Sequence, residues 1–357
     1  MQRLEQMAAT AEDIRRVVAG VEQWLFSGVA QSRSGAFCAW RDGDTGEFAF
    51  DYPEITGYAL TLASSMRDPE PVVVHAARRA AEWLVGRLAS GDRSARAGWD
   101  GEAIYTFDLA MIATGLMAFG RTFGGEYTNA GAALVEYLDA EIRAAGKLPA
   151  IARGPRASHT GWAVEGRAHL LKVVQCLLLA RETAGLDTHA AAQTLIAEAS
   201  ELQRPEGRFV TDPRDETTML HPHHYALEGL WIWGCASSDD WALERARHGL
   251  EWAFEHQLPS GGFPRSVENA SGVPGPEQAD ATAQAVRMAY LLELEPAGLE
   301  RAVCRVAELT VEGEHGRAAV YQPDATPLHE NIWASVFAAQ ALRLAAGDGR
   351  IRWDLLA

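Results

Sequence analysis

The chain has 357 residues, of which 48% are hydrophobic and 22% are charged, and its formal net charge is −16 at pH 7. This composition is typical of a globular, helical protein with enough apolar residues for a large core. The acidic net charge and the scattered lysines and arginines argue against a nucleic-acid partner and against binding to an anionic membrane. Since no Pro/Ser-rich linker divides the chain, we expect one domain over residues 1–357.

The N-terminal residues lack the apolar core of a signal peptide. No segment approaches the run of about 20 apolar residues that a membrane span requires. We therefore expect a cytoplasmic protein without a membrane partner. Four cysteines, Cys38, Cys176, Cys235 and Cys304, show neither paired nor zinc-ribbon spacing, which predicts reduced thiols, no metal and no other cofactor.

Along the chain, residues 10–27 predict an amphipathic helix, and one unit then recurs: a glycine-aromatic loop, an apolar helix with polar residues in its first turn, and an amphipathic helix. The predicted apolar helices begin near 51, 105, 159, 220, 280 and 329, and the first three run to about 66, 119 and 182. The predicted amphipathic helices cover about 74–90, 126–144, 188–203, 241–257 and 297–311.

The period of about 50 to 60 residues indicates an array of one supersecondary unit. The first helix can close the sixth unit, which makes twelve helices in six hairpins. The apolar helices are expected inside because a helix buried on all sides tolerates little charge. The predicted fold is therefore an all-α (α/α)6 toroid, with the loops that enter the inner helices gathered at one mouth.

Four segments, 105–108, 223–230, 280–287 and 331–333, resemble segments of bacterial toroid proteins associated with polysaccharide biosynthesis. Nearly the whole chain resembles the α/α-toroid superfamily, which includes glycoside hydrolases, polysaccharide lyases, sugar epimerases and, more distantly, terpenoid cyclases and protein prenyltransferases. This resemblance implies the architecture. It implies no catalytic set, because one fold hosts many reactions.

The most distinctive segment is 220–231, in which Pro222 suits the first turn of a helix. From there, His224, Glu228 and Trp231 fall at i, i+4 and i+7 and share one helix face. We interpret this polar stripe as the lining of a cavity, with His224 as acid or base beside a carboxylate. The alternative interpretation is helix capping and satisfied polar packing.

Carboxylates open other predicted inner helices. Glu54 and Asp108 lie in the first turns of the first two, where a pair could cleave a glycosidic bond, although the helix dipole also favours acids there. Asp280, Gln284 and Arg287 repeat the i, i+4, i+7 stripe on the fifth, and this set suits a polyol or a carboxylated sugar. An N-cap with an internal salt bridge is the alternative.

The predicted catalytic residues are Asp108, His224, Glu228, Glu54 and Asp280. The residues predicted to bind the substrate are Trp40, Tyr58, Trp99, Tyr105, Trp162, Arg167, His221, His223, Tyr225, Trp231, Arg265, Gln284, Arg287, His329, Glu330, Asn331 and Trp333. Tyr52, His169 and Tyr321 are further candidates for the mouth. Flat aromatic faces among them can pack on sugar rings or surround a carbocation.

The leading hypothesis is an enzyme that acts on a saccharide or sugar-like polyol by hydrolysis, elimination or epimerisation. The second is a terpenoid-cyclase-like or prenyltransferase-like enzyme, against which the missing Asp-x-Asp-Asp motif and zinc set count. The third is a non-catalytic saccharide-binding protein. The expected partner is a small-molecule or saccharide ligand. The sequence leaves open whether the chain forms a homo-oligomer.

Overall fold

The computed structural model describes residues 10–90, 103–153, 161–269 and 272–357. In chain order the helices are α1 (Ala11–Phe26), α2 (Pro53–Ser65), α3 (Pro71–Ala89), α4 (Thr106–Phe123), α5 (Tyr127–Ala145), α6 (Trp162–Glu165), α7 (Val174–Ala184), α8 (His189–Ala197), α9 (Ala199–Leu202), α10 (Leu220–Ser237), α11 (Asp240–Glu255), α12 (Ala279–Leu291), α13 (Leu299–Glu308) and α14 (Ile332–Ala345). Two 3₁₀ segments cover Ala168–Val173 and Trp353–Leu355.

The inner ring consists of α2, α4, α7 with the 3₁₀ segment before it, α10, α12 and α14. Each packs on the next, and α14 packs on α2, which closes the ring. Outside them lie α3, α5, α8, α11 and α13, each on the inner helix that precedes it, while α1 packs on α14. The predicted all-α toroid is confirmed, and α1 completes the sixth hairpin as expected.

Burial separates the two rings as the pattern predicts. Residues 53–64 of α2 and 106–120 of α4 are buried without interruption, whereas α1 and α13 bury one face only. Because inner helices contact neighbours on every side, apolar and small residues fill them, with few charges. None of the helices in the described ranges is both long enough and apolar enough to cross a bilayer.

Short antiparallel strand pairs tie together the loops at the mouth. The strands are β1 (Trp40–Asp42), β2 (Ile104–Tyr105), β3 (Ile151–Arg153), β4 (Thr218–Met219), β5 (Phe263–Pro264), β6 (Ser266–Val267), β7 (Glu277–Gln278), β8 (Thr310–Gly313), β9 (Gly316–Ala319) and β10 (His329–Asn331). The pairs are β1 with β10, β2 with β3, β4 with β6, β5 with β7 and β8 with β9. The β1–β10 pair joins the loops before α2 and α14, so it also closes the ring.

The third inner helix differs from its prediction as one long helix from 159 to 182. In the described part, α6 ends at Glu165, the 3₁₀ segment follows, and α7 starts only at Val174. At the break, the main chain of Gly166 packs closely against that of Thr211. A Cβ at Gly166 would lie 2.2 Å from the carbonyl oxygen of Thr211, so only glycine fits there. The chain therefore leaves the helix at a close backbone approach.

The inner helices α2 and α4 pack backbone to backbone. A Cβ added to Gly115 would lie 2.2 Å from the carbonyl oxygen of Gly57, and one added to Gly57 would lie 2.6 Å from that of Met111. No side chain fits between the two helices at these positions. Glycine at these positions therefore sets how closely the first turns of α2 and α4, which carry Glu54 and Asp108, approach each other.

We expect Gly115→Ala to lower the free energy of unfolding by about 1–3 kcal/mol, because the added methyl group pushes α4 away from α2. Gly86→Ala is the matched control, since Gly86 is also helical but has nothing within 4 Å of its added Cβ. Better helix propensity should make that variant about 0.5–1 kcal/mol more stable. Urea unfolding measures both. A Gly115→Ala variant as stable as the parent would contradict the close packing.

Candidate active site

A cavity of about 340 Å³ opens at the mouth of the toroid. All six units contribute to it, mostly from the first turns of their inner helices. Its lining consists of Trp40, Tyr52, Glu54, Tyr105, Phe107, Asp108, Trp162, Ala163, His169, His221, Tyr225, Asp280, Tyr321, His329, Asn331 and Trp333. The volume falls within the range of small-molecule sites.

Glu54 and Asp108 form a buried acid pair on neighbouring helices. The Trp333 indole N–H donates to Glu54 Oε2 at 3.1 Å, and the Tyr52 hydroxyl donates to Asp108 Oδ2 at 3.1 Å. Burial, followed by the charge of Asp108, raises the pKa of Glu54 well above its usual range. Burial also raises the pKa of Asp108 to about 7, although the Tyr52 hydrogen bond opposes the shift. The pair therefore retains at least one proton at neutral pH.

On the opposite side of the cavity, Asp280 and His221 lie together. Asp280 Oδ1 accepts from the Gln278 amide at 2.6 Å and from the backbone N–H of Ala281 at 2.7 Å. His221 Nδ1 lies 2.7 Å from Gln284 Oε1 and 3.4 Å from Asp280 Oδ2. These contacts hold a third carboxylate at the cavity wall.

The hydrogen-bond chain below His221 decides its tautomer. Gln284 Nε2 donates to Glu228 Oε1 at 3.1 Å, so its amide oxygen must face His221. His221 Nδ1 therefore carries a proton and donates to that oxygen. In the neutral ring, Nε2 is then the acceptor that remains for a ligand.

Aromatic rings form the remaining wall. Trp40 and His329 stack with ring centroids 5.4 Å apart and planes inclined by 11°, and the β1–β10 pair holds both. Tyr225 lies against His221, with centroids 4.3 Å apart. Flat apolar faces beside acidic groups suit a sugar ring, which has apolar faces and a polar edge.

Below the cavity lies a central ion cluster formed by Lys172, Glu228 and Arg287, all fully buried. Lys172 Nζ lies 2.7 Å from Glu228 Oε2, and the Arg287 guanidinium contacts Glu228 Oε1. Burial alone would raise the pKa of Glu228, but the charges of Arg287 and Lys172 hold it below its usual value. Glu228 is therefore the ionised partner of Lys172 and Arg287 at the centre of the toroid, and it does not line the cavity.

Side chains at i, i+4 and i+7 connect the cavity to this cluster along the toroid axis. On α12 they are Asp280, Gln284 and Arg287, so the predicted stripe is present, with Asp280 at the cavity and the other two beneath it. Arg287 is neutralised by Glu228, so it cannot offer the sugar-carboxylate contact that we expected from it. Tyr58, predicted to bind substrate, also lies beneath the wall and donates to the Tyr225 hydroxyl at 2.9 Å.

On α10 the predicted stripe of His224, Glu228 and Trp231 is wrong as a cavity lining. The axial residues of this helix are His221, Tyr225 and Glu228, and only the first two reach the cavity. His224 is fully buried, its ring nitrogens have no hydrogen-bond partner among the described residues, and burial holds its pKa well below the usual range. The Trp231 N–H donates to the carbonyl of Leu291 on α12 at 3.1 Å.

His223 also lies away from the cavity. Its Nδ1 accepts from the backbone N–H of Phe209, so its Nε2 carries the proton and donates to the carbonyl of Gly249 at 3.0 Å. Both ring nitrogens are used to anchor a loop and the outer helix α11. The alternative of satisfied polar packing therefore describes His223.

Three other predicted binding residues lie outside the lining. Arg167 pairs with Glu198, and Glu330 pairs with Arg41 at 2.7 Å. The Arg265 side chain is exposed to solvent. Trp99 falls outside the described residues.

The structure brings the other predicted residues together at the cavity: Trp40, Glu54, Tyr105, Asp108, Trp162, His221, Tyr225, Asp280, His329, Asn331 and Trp333. The further candidates Tyr52, His169 and Tyr321 also line it. Phe107 and Ala163 were missed, and their signal was their position beside Asp108 and Trp162 in the same helical turns. Within the described residues, no three His, Cys, Asp or Glu side chains are placed to hold a metal ion.

No protein-family model and no curated protein sequence matches the chain. Solved structures do match. An unsaturated glucuronyl hydrolase from Bacillus sp. GL1 has a TM-score of 0.70 at 14% identity, covering 94% of this chain and 96% of that one. One specific for heparin has a TM-score of 0.71 at 13% identity over 95% and 98%.

A variant of the Streptococcus agalactiae unsaturated glucuronyl hydrolase, complexed with dGlcA-GalNAc6S, has a TM-score of 0.72 at 13% identity over 98% of this chain and 96% of that one. At such low identity the similarity establishes the toroid fold, and the choice of reaction depends on the side chains.

We expect Asp108→Asn to make the protein more stable at pH 8. The pKa of Asp108 rises from 3.8 to about 7 on folding. Its favourable contribution is complete below pH 3.8 and is lost as the pH rises through about 7. Asparagine can keep the Tyr52 hydrogen bond without the charge, so the free energy of unfolding should rise by about 1–3 kcal/mol at pH 8.

Urea unfolding of both proteins between pH 4 and pH 8 measures this difference, which should shrink towards the acidic end of the range. A less stable variant at pH 8 would instead assign Asp108 to the support of the fold.

Glu228→Gln should have the opposite effect. It removes the carboxylate that Lys172 and Arg287 share and leaves the Ala357 oxygen as their common acceptor. We therefore expect a loss of about 3–5 kcal/mol in the free energy of unfolding. Glu330→Gln is the matched control, because it breaks a partly exposed pair with Arg41 and should cost less than about 1 kcal/mol. Thermal unfolding compares the two variants, and equal losses would contradict the role of the central ion cluster.

Proposed function

We propose that the chain is a carbohydrate-active hydrolase that breaks a glycosidic bond by acid–base chemistry at Glu54 and Asp108. The observation that carries this proposal is a buried carboxylate pair that keeps a proton at neutral pH beside an aromatic cavity. Two carboxyl groups with separated pKa values can divide the roles of acid and base.

The surroundings of the two carboxyl groups suggest the roles. Burial, followed by the charge of Asp108, raises the pKa of Glu54, whereas the Tyr52 hydrogen bond opposes the rise in the pKa of Asp108. We therefore assign the retained proton to Glu54 and the ionised form to Asp108. Protonated Glu54 donates to the leaving glycosidic oxygen as the C–O bond breaks. Ionised Asp108 takes a proton from the water that adds to the anomeric carbon, or attacks that carbon itself, according to the separation of the carboxyl groups.

Neighbouring groups support these roles. The Tyr52 hydroxyl donates to Asp108 and stabilises its ionised form, while the Trp333 indole orients Glu54. His221 presents an acceptor nitrogen for a sugar hydroxyl, and Trp40 with His329 provides a stacked wall. The first two contacts hold the carboxyl groups in place, and the other groups are positioned to orient a sugar ring beside them. Such positioning contributes strongly to catalysis.

Hydrolysis is favoured over elimination and epimerisation because the structural neighbours that share the fold over almost their whole length are named hydrolases. The second candidate is a saccharide-binding protein without turnover, which the aromatic cavity alone would equally support. The acid pair distinguishes the two, because a receptor gains nothing from two buried carboxyl groups held at raised pKa values.

We expect kcat/KM to fall tenfold per pH unit below about pH 7, because Asp108 must be ionised and its pKa is about 7. Glu54→Gln and Asp108→Asn should each reduce turnover by about 10²- to 10⁴-fold without unfolding the protein. Glu330→Gln is the control, since its carboxylate lies on β10 near the mouth but outside the cavity lining.

The measurement is release of reducing ends from a panel of oligosaccharides, with the folded state of each variant checked by circular dichroism. Retention of full turnover in both Glu54→Gln and Asp108→Asn would refute the acid–base assignment. Saccharide binding without any turnover by the parent protein would favour the receptor.

A further inference from the structure

The lining of the cavity contains acidic groups but no lysine or arginine among the described residues. Three buried carboxyl groups, Glu54, Asp108 and Asp280, line it together with the histidines His169, His221 and His329. Their hydrogen-bond donors are the Trp333 indole, the Tyr52 hydroxyl, and an amide and a backbone N–H at Asp280, and His221 Nδ1 lies 3.4 Å from Asp280 Oδ2. A buried carboxylate without a cationic partner is costly.

The nearest lysine and arginine lie outside the lining. Lys172 and Arg287 pair with Glu228 below the cavity, with all three side chains fully buried. The charge of Lys172 also acts to lower the pKa of Glu54, against the larger effect of burial. Arg167 pairs with Glu198. The exposed Arg265 is close enough to oppose the rise in the pKa of Tyr321, but it points to solvent at the rim and is not part of the lining.

A uronate ring would therefore bring a further carboxylate to a wall that already holds three carboxyl groups. A ring with a protonated amine would instead supply a positive charge beside them. Asp280 offers the better contact for it, because this carboxylate lies across the cavity from the acid pair. Burial, followed by the charge of nearby Asp280, raises the pKa of the Tyr321 hydroxyl. An aromatic ring beside a carboxylate adds a cation–π contribution to the ion pair.

We infer that the substrate of this cavity is an amino saccharide, whose free ammonium group binds Asp280 while its glycosidic bond faces Glu54 and Asp108. This inference rests on the proposed function, and it assigns a different substrate class from the unsaturated glucuronides named for the structural neighbours. Asp280 is then a specificity-determining residue, which recognises the amine, and the acid pair performs the reaction.

The test is isothermal titration calorimetry at pH 7 with four ligands: the trisaccharide of glucosamine, the trisaccharide of N-acetylglucosamine, cellotriose and an unsaturated glucuronyl disaccharide. We expect the glucosamine trisaccharide to bind at least tenfold more tightly than each of the others.

Asp280→Asn should abolish the preference for glucosamine over the neutral trisaccharides, and circular dichroism shows whether the variant is folded. Glu255→Gln is the matched control, because it changes the net charge by the same amount at an exposed position on α11. The Glu255→Gln variant should keep the full preference for glucosamine. If the preference came from the net negative charge of the protein, both variants would lose it to the same extent.

The outcomes separate this inference from the proposed function. Tighter or equal binding of a neutral or uronate ligand overturns the amino-saccharide inference, and if Glu54→Gln and Asp108→Asn still abolish its cleavage, the hydrolase proposal stands. An unchanged glucosamine preference in Asp280→Asn overturns the role of Asp280. Failure of all four ligands to bind or react overturns both proposals.

Discussion

The compensation of buried charge at the centre of the ring is the constraint on which the rest of this structure depends. Lys172, Glu228 and Arg287 come from three inner segments and are all removed from water. Each charge would be costly alone, and Glu228 stabilises both Lys172 and Arg287, whose own charges repel each other. These contacts therefore fix how the third inner segment, α10 and α12 are rotated about their own axes.

That rotation determines what the cavity contains. With Glu228 turned to the axis, His221 and Tyr225 lie above it on the same face of α10. Gln284 connects the two levels, because its amide donates to Glu228 and its oxygen accepts from His221. A set of ion pairs that makes no contact with the cavity thus fixes the orientation and the tautomer of a histidine that lines it.

The same cluster explains why the cavity is acidic. It uses the buried lysine and arginine nearest the axis, while the carboxylates at the first turns of α2, α4 and α12 have neutral donors only. Helix N-termini favour negative charge, but burial outweighs this effect at Glu54 and Asp108 and raises their pKa values. The toroid therefore separates an ion-paired centre that supports the fold from an acidic mouth that is available for chemistry.

The sequence by itself determined the architecture and named most of the residues that line the cavity. The recurring unit predicted six hairpins, and the rule that polar first turns meet at one mouth brought Glu54, Asp108 and Asp280 together correctly. Both results follow from local patterns, since helical periodicity and first-turn polarity are properties of single segments. The stripe of Asp280, Gln284 and Arg287 on α12 could also be predicted from the sequence, because apolar residues surround these three polar ones.

Only the tertiary structure decided which face of α10 turns to the axis. This helix is buried on nearly all sides and has histidines at 221, 223 and 224, so no apolar face distinguishes one rotation from another. The choice depends on Lys172 and Arg287, which come from other helices and meet Glu228 only when the ring closes. Long-range charge pairing leaves no periodic signal in one segment, and for this reason His224 was predicted at the cavity together with His221, although only His221 lines it.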